Sequence, residues 1–132
     1  DLGTNEIFTK ISSFVSEPCH SERILIGGID QLEFYWLIKN SSLLLGNSST
    51  VVRESLFLGT PSLNLGNRQK GRCDFPNIIN SKFDSAQIRR GINKLLQTSD
   101  FPENNHFGDG NNGNRFMLAL ESIFDDISHS SA

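Results

Sequence analysis

Long apolar runs, cysteine and an excess of either charge are all scarce in this 132-residue chain. No stretch approaches the ~18–20 apolar residues of a membrane span. The N-terminus lacks the basic-then-apolar pattern of a secretory signal. Cys19 and Cys73 are the only cysteines and show no metal-ligand spacing, so reduced thiols in a soluble cytoplasmic protein are expected. The formal net charge of -3 argues against nucleic acid or an anionic membrane as a general partner. No Walker-type lysine, internal repeat or coiled-coil pattern occurs. No metal site and no cofactor are expected. What remains is a chain long enough for one domain over 1–132 with a real core.

What the chain does have is organised around Leu43–Arg72. Leu43-Leu44-Leu45 is an apolar run of the kind that forms a buried parallel strand. Gly46-Asn47-Ser48-Ser49-Thr50 then turns the chain, and Val51, Val52, Ser55, Leu56 and Leu58 recur at helical spacing. Gly59-Thr60-Pro61 stops the helix. Ser62–Leu65 reads as a second strand, followed by a basic, glycine-bounded loop, Gly66–Arg72. Around this unit the spacing predicts a helix from Thr4 through Val15, ended at Glu17-Pro18, and a short strand over Arg23–Ile26. The turn Gly27–Asp30 leads into a helix over Gln31–Asn40, capped by Asp30, whose aromatic residues are expected to pack on a sheet. A strand over Asn77–Asn80, a helix over Ser85–Thr98, a polar loop over Ser99–Asn114 and a closing helix over Arg115–Ile127 complete the pattern. Asp109, in that loop, could touch a ligand but reads more readily as a turn or capping residue. Strands alternating with helices predict a largely parallel α/β sheet with right-handed crossovers.

The turn at Ser48–Thr50 admits two readings. Unpaired amides and partial positive charge at a helix start, with three hydroxyls beside them, suit a phosphate or other anion. Glu54 lies four residues beyond Thr50, on the same helix face, where a carboxylate could accept both hydrogen bonds of a vicinal diol. Arg68, Lys70 and Arg72 could offset the charge of a diphosphate. Alternatively, a serine simply caps the helix, Glu54 is solvated, and the basic loop is ordinary surface.

Gly46-Asn47-Ser48-Ser49 with Glu54, then Leu58–Pro61, then Asn64–Arg72, resembles the C-terminal half of UDP-N-acetylglucosamine 2-epimerases. Arg68-Gln69-Lys70-Gly71-Arg72 is closer to the hydrolysing branch, which releases UDP and forms N-acetylmannosamine for sialic acid synthesis. Phe107–Asn111 also resembles a family element that precedes the last helix. The resemblance implies a Rossmann-like parallel sheet flanked by helices, most of the C-terminal domain of a GT-B-type two-domain enzyme. It implies that Ser48 and Ser49, with Thr50 beside them, hold the UDP phosphates. Glu54 would hold the ribose, Arg68 would lie near the nucleotide, and the Ile29 backbone would meet the uracil. The family's catalytic carboxylates lie in its N-terminal domain, so no catalytic residue is expected in this chain.

A fragment of a two-domain enzyme is therefore expected, with UDP or UDP-N-acetylglucosamine as ligand and the absent N-terminal domain as natural partner. One rival is the corresponding domain of a nucleotide-sugar glycosyltransferase. The other is a non-catalytic nucleotide-binding or interaction module that forms a homo-oligomer through an exposed sheet edge.

Overall fold

The strand–turn–helix–strand unit forms in the computed structural model, which describes residues 4–17, 24, 26–72, 74–98 and 101–129. The chain divides into two units, Asp1–Phe34 and Tyr35–Ala132.

In the first unit, α1 spans Thr4–Ser16. Glu6 and Lys10 pair across one turn at 2.8 Å, while Ile7, Phe8, Ile11 and Phe14 are exposed. Pro18, the expected terminator, lies outside the described residues. So do two residues of the strand expected over Arg23–Ile26. Ile24 and Ile26 are described, belong to no strand and are 78% and 51% exposed. An apolar run this short gains little from an extended conformation unless a neighbour pairs its amides. Asp30 caps α2 (Gln31–Asn40). Its Oδ1 accepts from the Leu32 and Glu33 amides at 2.8 and 2.9 Å, and the Glu33 carboxylate accepts from the Asp30 amide at 3.3 Å. This is a reciprocal capping box, which satisfies amides that the helix itself cannot pair.

In the second unit, β1 (Leu44–Gly46), β2 (Ser62–Leu65) and β3 (Ile78–Ser81) form a parallel sheet in the order β1-β2-β3. The β1–β2 crossover contains a 3-10 turn, Ser49–Val51, and α3, Arg53–Leu58. The sequence pattern predicts one helix here; the structure breaks it at Val52. Two serine hydroxyls supply the reason. Ser55 Oγ and Ser62 Oγ both donate to the Val51 carbonyl, at 2.8 and 2.6 Å. Ser62 is a buried β2 residue, so the carbonyl at the break is tied to the sheet.

The β2–β3 crossover, residues 66–77, contains no helix among its described residues. α4 (Ser85–Leu96) follows β3, capped by Asp84, whose side chain accepts from the Gln87 amide at 2.8 Å. Alternation along the strands sends successive residues to opposite faces. Ile78 joins Val51 and Val52 in the core on the α3 side. Leu63 and Ile79 face α4, where they crowd Gly91. The result is an α/β layered arrangement of Rossmann-like type. Asn64 and Asn80, directly opposed on β2 and β3, join by a 2.8 Å amide–amide bond.

One packing expectation is corrected. The aromatic face of α2 is not helix-on-sheet core: Trp36 is 64% exposed, and Ile38 is the buried residue of that helix. The faces of this narrow sheet are already taken by Val51, Val52 and α3 on one side and α4 on the other. α5 forms over Asn112–His129, yet Phe116, Leu118, Ile123 and Phe124 are all more than half exposed. An amphipathic stripe predicts a helix but does not by itself supply the surface that covers it.

Candidate functional site

The loops that follow β1 and β2 leave the carboxyl edge of the sheet, where open α/β folds bind ligands. Ser48 has the extended backbone of an N-cap residue, φ -77° and ψ 165°, but its side chain makes no cap bond. Ser49 and Thr50 form the 3-10 turn that follows. Among the described residues, none of these three hydroxyls has a hydrogen-bond partner. The plain capping reading therefore loses its bond, and three polar groups remain available at a strand end.

One turn further on, Glu54 lines a cavity of about 200 Å³ with Tyr35, Arg53, Phe57, Leu58, Phe107 and Gly108. Its Oε2 is buried without a hydrogen-bond partner. An unmatched buried acceptor costs about 1–3 kcal/mol, more when charged. Rotation about the terminal torsion exchanges the two carboxylate oxygens at little cost, so either can turn toward the cavity. Ser48, Ser49, Thr50 and Arg68 do not line this space; the first three shortly precede Glu54 in the chain, and Arg68 is on the loop after β2.

Phe107 is set as a cavity wall by an aromatic trio. Its ring meets His106 edge-on at 5.1 Å and Phe75 at 5.9 Å, and Phe75 in turn packs against the core. Asp109, close by in sequence, serves the turn. Its two carboxylate oxygens take Arg115 Nη1 and Nη2 at 2.9 and 2.6 Å, and Oδ1 also accepts the Asn111 amide at 3.0 Å. The Arg115 guanidinium, and after it the Asn111 amide, hold the Asp109 carboxyl well below its usual range. The turn-or-cap reading of Asp109 is the one the geometry favours. Phe107 and Gly108, rather than the aspartate, reach the cavity.

Arg68 is exposed on the loop after β2. Sequence reasoning treated its neighbour Gln69 as one more loop residue. The structure buries Gln69 to 5% exposure and sets its Nε2 3.3 Å from the Asn47 carbonyl. This bond ties the arginine loop to the turn that carries Ser48. The available signal was an uncharged amide set among three cations, Arg68, Lys70 and Arg72. Ile29 is half-buried in the turn before α2 and belongs to the first unit. Among the described residues no cluster of His, Cys, Asp and Glu could hold a metal ion, and no helix is long and apolar enough to cross a membrane.

Comparison with known proteins places this geometry in a lineage. A family model described as UDP-N-acetylglucosamine 2-epimerase matches residues 3–121. The GDP/UDP-N,N'-diacetylbacillosamine 2-epimerase (hydrolyzing) of Campylobacter jejuni is 31% identical over 100 residues, 76% of this chain and 24% of that protein. The UDP-N-acetylglucosamine 2-epimerase of Neisseria meningitidis is 27% identical over 110 residues, 83% of this chain and 28% of that protein. Polysialic acid biosynthesis protein P7 of Escherichia coli is 36% identical over 93 residues, 70% of this chain and 23% of that protein. The chain thus spans about a quarter of the length of these curated relatives. The match runs through β1, the Ser48–Thr50 turn, Glu54 and the Arg68 loop. This chain belongs to the UDP-N-acetylglucosamine 2-epimerase family.

Proposed function

We propose that the chain is the UDP-binding half of a hydrolysing UDP-N-acetylglucosamine 2-epimerase, of GT-B-type architecture and cytoplasmic. The observation that carries this reading is Glu54, a cavity-lining carboxylate with a buried, unpartnered oxygen, one turn beyond three unpaired hydroxyls. In the reaction, UDP-N-acetylglucosamine and water give N-acetylmannosamine and UDP, a sugar precursor for sialic acid or capsule synthesis. The names of the Campylobacter and Escherichia relatives support the hydrolytic reaction and the sialic-acid connection respectively.

Each residue then has a physical role. The hydroxyls of Ser48, Ser49 and Thr50 donate to diphosphate oxygens. Arg68 supplies countercharge as the anomeric C–O bond breaks and negative charge develops on the leaving UDP. Glu54 accepts the ribose hydroxyls, and the backbone at Ile29 meets the uracil. None of these steps needs a proton transfer by a side chain of this chain, and the carboxylates that act on the sugar are assigned to the N-terminal domain of the two-domain architecture, the natural partner of this half.

Two outcomes follow. In calorimetry, UDP should bind the chain saturably, and Glu54→Ala should weaken it by about tenfold or more, the loss of hydrogen bonds to a charged group. No binding by the wild-type chain up to millimolar UDP would overturn the reading. Incubated with UDP-N-acetylglucosamine, the chain alone should release neither UDP nor N-acetylmannosamine. Turnover above a no-protein control would refute the assignment of catalysis to another domain.

A further inference from the structure

We infer that Arg53 is a ligand-binding residue, the donor half of a carboxylate–guanidinium pair that makes the site prefer ribonucleotides to 2′-deoxyribonucleotides. This rests on the proposed nucleotide site and adds a specificity-determining residue to it. Consecutive helix positions normally point apart, yet Arg53 and Glu54 both line the same cavity. Neither side chain is spent on the other. Among the described residues, Arg53 has no hydrogen bond or ion pair, and Glu54 Oε2 has no partner.

The two groups are complementary in hydrogen-bonding capacity. An ionised carboxylate only accepts; a guanidinium only donates. A hydroxyl does both, so it can donate to Glu54 while one of its lone pairs accepts from Arg53. A vicinal diol presents two such hydroxyls side by side. The remaining walls contribute Phe57, Leu58 and Phe107, apolar surface against which the carbon face of a sugar packs. The cavity of about 200 Å³ is smaller than the roughly 300–1,000 Å³ of a whole small-molecule site, which suits one ring of a larger ligand. With the 2′-hydroxyl gone, Arg53 and one half of the carboxylate are left unmatched, and that mismatch is the source of discrimination.

The test is calorimetric titration of UDP and 2′-deoxy-UDP into the wild-type chain, Arg53→Met and Glu54→Gln. Methionine keeps much of the stem but no donors. Arg53 is exposed, so its thermal midpoint should match wild type. Wild type should favour UDP over 2′-deoxy-UDP by about tenfold, as expected where a site is built to bond a hydroxyl. Arg53→Met should cut that ratio several-fold, mainly by weakening UDP, and the remainder should be the share carried by Glu54. An unchanged ratio in Arg53→Met, with UDP weakened in Glu54→Gln, would overturn the role of Arg53 and leave the ribose carboxylate standing. Equal weakening of both nucleotides by Arg53→Met would also overturn it, by pointing to a phosphate contact. If neither variant alters UDP binding, the nucleotide-site reading itself falls.

Discussion

Gly59→Ala should lower stability by about 2–4 kcal/mol, among the largest effects available to a single methyl group. Two independent costs add at this position. Gly59 ends α3 in the left-handed region, φ 67° and ψ 26°, with its amide directed at the Leu56 and Ser55 carbonyls. A residue with a Cβ pays about 1–2 kcal/mol for that conformation. The new methyl would also stand 2.5 Å from the Phe101 carbonyl oxygen, a backbone atom. The surrounding backbone is held by several bonds. The Asn104 amide donates to the Leu56 carbonyl at 3.1 Å, and Lys39 Nζ donates to the Leu58 carbonyl at 3.0 Å while also pairing with Glu103. Relief therefore requires moving a tethered segment. Thermal denaturation should show a midpoint roughly 6–20 °C lower, at about 3–5 °C per kcal/mol for a domain of this size. An unchanged midpoint would mean that the segment around residue 101 yields freely.

Gly91→Val should cost about 3 kcal/mol, through overpacking between α4 and the sheet. A Cβ at 91 would lie 2.6 Å from Leu63 Cδ1 and 3.6 Å from Ile79 Cγ2. Leu63 is wholly buried, so its methyl has no solvent-facing rotamer to retreat into. Gly91→Ala sets the crowding against a helical gain of up to about 1 kcal/mol from replacing glycine; the crowding should still win, by a smaller margin. Combining Gly91→Ala with Leu63→Val, which shortens the clashing side chain, should recover part of the loss. Chemical denaturation of the two single variants and the double variant gives the coupling. Strict additivity would show that Leu63 is not the obstacle.

Much of the central unit was legible in the sequence, because its punctuation is local. Ser62–Leu65 forms a strand between Pro61 and Gly66, as read, and Asp30 caps Gln31–Asn40. The break at Val52 was not legible. Val51, Val52, Ser55 and Leu56 fit one continuous helical face, and the Ser62 hydroxyl that helps to hold the break comes from another element. The apolar stripes of α1 and α5 predicted the helices but not what covers them, since periodicity reports a face and not its cover. At the site, Ser48, Ser49, Thr50 and Glu54 are brought close by short-range spacing alone. The cavity around Glu54 is assembled from Tyr35 on α2, Phe57 on α3 and Phe107 from the late loop. Convergence of three elements leaves no periodic trace in the chain.

The bond from Gln69 to Asn47 has a kinetic consequence. Without it, the turn carrying Ser48 and the long irregular segment carrying Arg68 would sample separate conformations, and an arriving anion would have to wait for both. Joined by one buried amide, the two are held together in advance, so the proposed diphosphate site would fill at the rate of encounter instead of the rate of loop rearrangement. On that proposal, variation in affinity among nucleotides that share a diphosphate would be carried by how long each stays.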